Sequence, residues 1–425
     1  MNARSELELQ IEQSRCRAHH RWRNALLILL AIALLADFHS KNSRQRFYLV
    51  RASLGHFPRS SSAWQSLYSR TLDRSFIVTM GLDVRCFFMV LEAGFQEKWE
   101  TETIDRSDVN EFGEPRVQRR SLDAAGRLGL VLHFLNSTMP EVALQQIFGL
   151  VPSAVSCYLR FSMRLLAETL EHPLMLSARI AWPTASENFE YLAGLIACRH
   201  PQLAGGFGFV DGVHLPVEVA GEENVQNAYY NGWLCSHFIN NIFVFGPDGA
   251  ILYCVLNCPG SWHDAVVAQP LYQHLIHRTP NPYYIIADAA FPSKAALLGR
   301  IKKPLSKGFT SWPADPGMAS DLRLFNRQLI SARQSAEWGM RSLQGSFGRL
   351  RIPLPSDDVS FRQLVLVLCC RLFQIRARVV GISEIQAVYE RIWLESGIYA
   401  GFQDLCFKEI LFGDRIRQYY NLSIG

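Results

Sequence analysis

The sequence predicts an α/β domain with a mixed sheet flanked by helices, preceded by an all-α region. Three observations carry this. Apolar residues recur at helical spacing from about Ala63 to Leu195, with few runs of β-branched residues. After Pro201 the texture changes to strand-like segments, two of them joined by Gly246-Pro247-Asp248-Gly249, strong hairpin chemistry. A short apolar strand then sits between helical stretches, so the sheet is mixed rather than wholly antiparallel.

The 425 residues suffice for two or three domains. With 49% hydrophobic and 19% charged residues, disordered and fibrous classes are excluded. The net charge of +5 hides two features. Lysines number seven against 36 arginines, and arginine is the planar fork that suits phosphate. Residues 1–60 carry ten basic and four acidic side chains, so their net +6 exceeds the total for the chain. The sequence divides into a basic helical arm (1–60), a helical region (61–200), an α/β domain (205–378) and a helical tail (379–425).

Ten cysteines form no C-x-x-C pair and no Cys/His cluster at zinc spacing, which fits free thiols in a reducing compartment. Ala25–Ala36 is an unbroken apolar run behind Arg15, Arg17, Arg21 and Arg23. As a helix it reaches about 18 Å, against about 30 Å of hydrocarbon, and no small-x-small cleavage site closes it. It reads as a buried helix with a basic flank suited to nuclear import or DNA backbone. A membrane or secretory segment is the lesser alternative.

Within the helical region, Asp123–Asn136 reads as one helix. Pro140–Phe148 and Pro152–Leu166 flank the turn Gly149-Leu150-Val151, the layout of a helix-turn-helix (140–166). Leu144, Phe148, Val155 and Leu159 are expected between the helices. Ser153, Ser156 and Arg160 are expected outside, facing a DNA groove. Gln145 sits where a small residue usually allows close packing, and a plain helical scaffold is the competing reading.

Strands are expected at Phe207–Val219, His237–Phe245, Ile251–Cys258 and Tyr283–Ala287. Helices are expected at Trp262–Arg278, Ser293–Ile301, Arg327–Phe347, Phe361–Arg378 and through the tail.

Three acidic residues stand out. Asp211 interrupts an apolar strand, which is costly unless the carboxylate is paired or binds a cation. Asp288 follows the short strand, at the edge where open α/β sheets place ligands. Glu337 lies mid-helix between Arg333 and Arg341, where an ordinary ion pair also explains it. Together they offer hard oxygen ligands suited to Mg²⁺ or Mn²⁺. Two such ions about 3.5–4 Å apart can clamp the attacking and leaving oxygens of a phosphodiester.

These motifs form an ordered set. Gly208-Phe209-Val210-Asp211-Gly212-Val213-His214-Leu215-Pro216 resembles the DG-x-H-hydrophobic-P opening of PIF/Harbinger transposases and the nucleases derived from them. Cys258-Pro259-Gly260-Ser261-Trp262-His263-Asp264 is similar to their PGS-x-HD segment. Ala287-Asp288-Ala289-Ala290-Phe291-Pro292 is similar to GDSGYP. Phe325-Asn326, Ala332-Arg333, Glu337 and Phe347-Gly348-Arg349-Leu350 resemble FN…AR…E…FG-L, and 48 residues separate Asp288 from Glu337. The resemblance spans about residues 205–378. It implies an RNase H-like catalytic fold and a DDE triad of Asp211, Asp288 and Glu337. It further implies two divalent ions, cleavage of double-stranded DNA at transposon ends with strand joining, a Myb-like DNA-binding partner, and action in the nucleus. A catalytically silent, domesticated protein on the same fold is the alternative. Ala287, Ala289 and Ala290 replace glycine, serine and glycine of that pattern, and Phe291 its tyrosine; these changes spare the ligands.

Other residues carry paired readings. Asp264 is expected to cap the helix after Trp262, or to stand with His263 behind the metal ligands. His214, three residues from Asp211 on a strand, is expected on the opposite face, packed. Arg333 and Arg341 either pair with Glu337, the favoured reading, or meet phosphate. Lys302, Lys303 and Lys307 form a candidate backbone-phosphate contact.

Overall fold

The computed structural model describes residues 3–45, 54–55, 57–104, 113–291, 297, 299–306 and 308–395. Among the described residues six strands form one sheet: β1 (Gly206–Pro216), β2 (Tyr230–Asn231), β3 (Ser236–Phe245), β4 (Ile251–Pro259), β5 (Tyr284–Ile286) and β6 (Ile301–Lys302). The main order is β4-β3-β1-β5-β6, with β2 paired to the start of β3. β1, β3 and β4 are antiparallel neighbours, whereas β5 and β6 run parallel to β1. This mixed sheet with its flanking helices fits an RNase H-like domain.

Alternation along β1 divides the sheet. Phe209, Asp211, Val213 and Leu215 face one way and Val210, Gly212 and His214 the other. The first face joins a large core that runs from Trp64 in the helical region to Tyr389. The second packs with Phe207, Val267, Leu271 and Leu275 into a smaller core under the short helices Asp264–Val267 and Gln269–His277. The single helix expected over Trp262–Arg278 thus breaks at Ala268, just before Pro270, whose ring denies the backbone an amide donor. The hairpin between β3 and β4 closes as expected, with the Gly246 amide donating to Ala250 at 2.8 Å.

The long helix extends further than its apolar periodicity, over Pro316–Ser346, because Asp315 caps it by accepting from the Met318 amide. A helix over Val359–Ile375 follows, capped by Asp358. Most of the helix expected at Ser293–Ile301 lies outside the described residues, and its last residue belongs to β6. The tail is helical over Glu384–Glu395; the remainder lies outside the described residues.

The N-terminal region is all-helical. Asp123 caps the helix Ala124–Asn136, and Arg349 ties its last turn to the segment that follows by donating to the carbonyls of Phe134 and Met139. The helices Glu141–Phe148 and Pro152–Glu171 meet at 96° around Gly149, whose φ of 62° suits glycine. Leu144, Phe148, Val155 and Leu159 are buried as expected, and Ser153, Ser156 and Arg160 are exposed.

The burial expected of the N-terminal apolar run fails. The apolar run Ala25–Ala36 is helical, within Ala3–Gln45, but it is not buried: Leu27 is 56% and Leu35 67% exposed. No single helix among the described residues is long and apolar enough to cross a membrane.

Candidate active site

The site forms where the long helix crosses β1 and β3. Ala332, Ala336 and Gly339 form its contact stripe, buried and small, so the helix axis comes close to the sheet. A Cβ at Gly339 would stand 2.8 Å from the Phe245 ring. Glu337 projects from the next position round and lies within electrostatic range of Asp211 on β1.

Asp288 reaches the same place by strand register. Phe209 pairs with Ile286 across β1 and β5, so Asp211 and Asp288 each lie two residues beyond that pair. The Asp211 carboxyl is pushed up to about 6, first by burial and then by the charges of Asp288 and Glu337. The Gly212 amide, 2.9 Å from Oδ1, and Arg333 oppose that rise. The three carboxylates therefore share one electrostatic environment.

Each also holds a local donor. Asp288 accepts from the Ala290 amide at 2.7 Å, and Glu337 pairs with Arg333 at 3.0 Å. Among the described residues, no three His, Cys, Asp or Glu side chains are gathered tightly enough to hold a metal ion. The donor set is nevertheless all hard carboxylate oxygen, the chemistry that suits a hard divalent cation, and an ion there would oppose both the burial and the neighbouring charges that raise Asp211. Arg341 is exposed and makes no ion pair among the described residues, so only one of the two expected arginine pairs forms.

The loop that carries Asp288 is held from below. Lys303 Nζ donates to the carbonyls of Ala289 (3.4 Å) and Phe291 (2.9 Å). Lys302 lies over the Tyr284 ring, and Lys307 falls outside the described residues. Asn326 accepts from the Leu305 amide at 2.8 Å and ties the following segment to the long helix.

Asp264 does not cap its helix. His263 does, accepting from the Ala265 amide through Nδ1 at 3.2 Å. The Asp264 carboxylate turns back under β1, where a Cβ on Gly212 would meet it at 2.8 Å. It accepts from Asn240 Nδ2 at 2.6 Å and lies 3.9 Å from His214 Nε2. The adjacent His214 imidazole, followed by Asn240, holds it below the usual carboxylate range. His214 lies on the face opposite Asp211 as expected and stacks on Phe238 at 4.2 Å, but it is exposed rather than packed, with its side chain 39% accessible. Asp264 thus braces β1 from the face away from the three carboxylates.

Asn240 was not singled out from the sequence. Its signal was the pair Asn240-Asn241 inside an otherwise apolar strand, since buried amides persist only when bonded. Asn241 donates to Val213 and accepts from the Asn257 amide at 2.8 Å. On the helical hairpin, Ser156 donates to Glu141 at 2.6 Å and Arg160 pairs with Asp358 at 2.7 Å, bringing the Pro152–Glu171 helix against the Val359–Ile375 helix.

No curated protein and no solved structure matches the chain. Residues 210–374, which span all three carboxylates, match the family model of the DDE superfamily endonucleases and are consistent with a transposase-derived DDE nuclease.

Proposed function

We propose that the chain is a Harbinger-type DDE transposase, or a nuclease derived from one, cutting DNA at transposon ends and joining strands. The observation that carries this is Asp211, a strand carboxylate raised first by burial and then by Asp288 and Glu337, inside the segment that matches DDE endonucleases. Asp211, Asp288 and Glu337 would hold two divalent ions, Mg²⁺ or Mn²⁺. Bound there, the ions supply Lewis acidity to the attacking oxygen and neutralise the leaving one.

The chain's own residues set the geometry. Lys303 fixes the Asp288 loop, Arg333 orients Glu337, and Asp264 with Asn240 and His214 stiffens β1. The Lys303 ammonium already serves two carbonyls, which leaves Lys302 and Lys307 for backbone phosphate. Residues 1–60 would act as a basic arm. Residues 61–200 would present the helix-turn-helix (140–166) with Ser153, Ser156 and Arg160 toward duplex DNA. Residues 205–378 would form the nuclease domain and 379–425 a helical tail. The reading includes action in the nucleus, a Myb-like DNA-binding partner and a second copy of the chain.

The second reading is a silent DNA-binding scaffold on the same fold. The Arg333–Glu337 ion pair favours it, because it supplies by side chain the positive charge an ion would bring. Incubation with duplex ending in the element's own inverted repeats separates the two. Mg²⁺-dependent nicking that disappears in Asp288→Asn supports the nuclease; tight binding without nicking supports the scaffold.

A further inference from the structure

We propose that the groove along the outer edge of β4 is a nucleotide-binding site, taking an anion that carries an aromatic ring. The groove lies between β4, the extended segment 179–184 and the helices Gln269–His277 and Val359–Ile375, and holds about 810 Å³. That is the size of a small-molecule site. β3 separates β4 from β1, so the groove is distinct from the Asp211 site.

Its charged lining is wholly basic. Arg179, Arg278, Arg371 and His274 line it, and no Asp or Glu does. Arg371 is already engaged by the Leu170 carbonyl and Glu171. The guanidiniums of Arg179 and Arg278 have no hydrogen-bond or ion-pair partner among the described residues, and guanidinium forks match phosphate oxygens.

Behind these arginines the wall is aromatic: Trp182 is 7% exposed, and its indole N–H and Nδ1 of His274 are closed off from the groove.

The ring requirement comes from the same wall. Trp182, Tyr253 and His274 form an aromatic group with centroids 6.0, 5.6 and 4.5 Å apart. A nucleobase stacks on such a surface while its phosphate meets the arginines. An acidic peptide laid along β4 would answer the charge but would leave the aromatic wall without a role. The base-and-phosphate chemistry can come from a free nucleotide or from single-stranded nucleic acid.

Fluorescence anisotropy of the full chain with labelled dATP and with labelled oligothymidylate tests this. Binding of either probe is expected, displaced by unlabelled dAMP at far lower concentration than by inorganic phosphate. Arg179→Glu with Arg278→Glu should weaken it by about ten-fold or more, with melting temperature unchanged. Asp288→Asn should leave it intact, which separates this site from the nuclease reading. dATP alone binding assigns a free nucleotide; the oligonucleotide binding more tightly assigns a strand. No binding of either below about 1 mM, unaltered binding in the arginine variant, or displacement by phosphate or polyglutamate as readily as by dAMP, each overturns the proposal.

Discussion

Gly339 on the long helix meets the Phe245 ring on β3 so closely that a side-chain carbon there would stand 2.8 Å from it. This contact sets how far Glu337 stands from Asp211, because both carboxylates ride on the two surfaces it holds together. Gly339→Val should push the helix outward, with overpacking on the order of 1–3 kcal/mol. Thermal melts should show the loss of stability, and nicking rates should fall further than stability does. A variant that melts early but nicks at the wild-type rate would show that the helix spacing is unimportant to the site.

Asp211→Asn should stabilise the metal-free protein while removing nicking. The wild-type carboxyl titrates near 6 in the folded chain, above its ordinary value of 3.8. The folded state therefore binds the proton more tightly than the unfolded chain, and ionisation costs stability as pH rises through that window. Removing the charge recovers at most about 3 kcal/mol at pH 7.5. Denaturant unfolding at pH 7.5 and pH 5 reads this directly: the gain should shrink at the lower pH.

Two buried histidines should make the fold acid-sensitive. Burial depresses His133 to about 4, and burial with the Arg199 charge depresses His200 to about 4. Both are neutral in the folded protein while the unfolded chain protonates near 6.5. Their stabilisation is full above that value and is lost as pH falls toward 4. His133→Leu should flatten the stability–pH curve over this range by on the order of 2–3 kcal/mol, measured by urea unfolding.

The helical hairpin gives a separable test of DNA reading. Arg160 is largely exposed and pairs with Asp358, so Arg160→Ala should change stability by no more than about 1 kcal/mol. Ser153 is exposed at the start of the Pro152–Glu171 helix. Ser153→Glu should cut affinity for duplex DNA by about ten-fold without shifting the melting temperature. Equal DNA affinity in the Ser153 variant would favour the plain helical scaffold.

The sequence by itself determined the element types and the identity of the unusual residues. Alternation in Phe209–Leu215 announced a strand with an acid on one face, and Gly246–Gly249 announced its hairpin neighbour. Asp211 and Asp288 were legible because each places a carboxylate in an apolar or strand-edge setting, whereas Glu337, mid-helix between two arginines, stood out only through its spacing from Asp288. Their relation to one another in space was not legible. It depends on parallel pairing of β1 with β5 and on the close seat of Gly339, both contacts between residues far apart in the chain. Local pattern likewise made Asp264 a helix cap, but β3 sets Asn240 beside His214, where both draw the Asp264 carboxylate away, and the His263 imidazole caps the helix instead. Apolar composition suggested a buried helix at Ala25–Ala36, but burial needs a partner surface, and periodicity cannot say whether one is present. Composition and spacing named the chemical groups; only packing across the sheet decided which of them share a field.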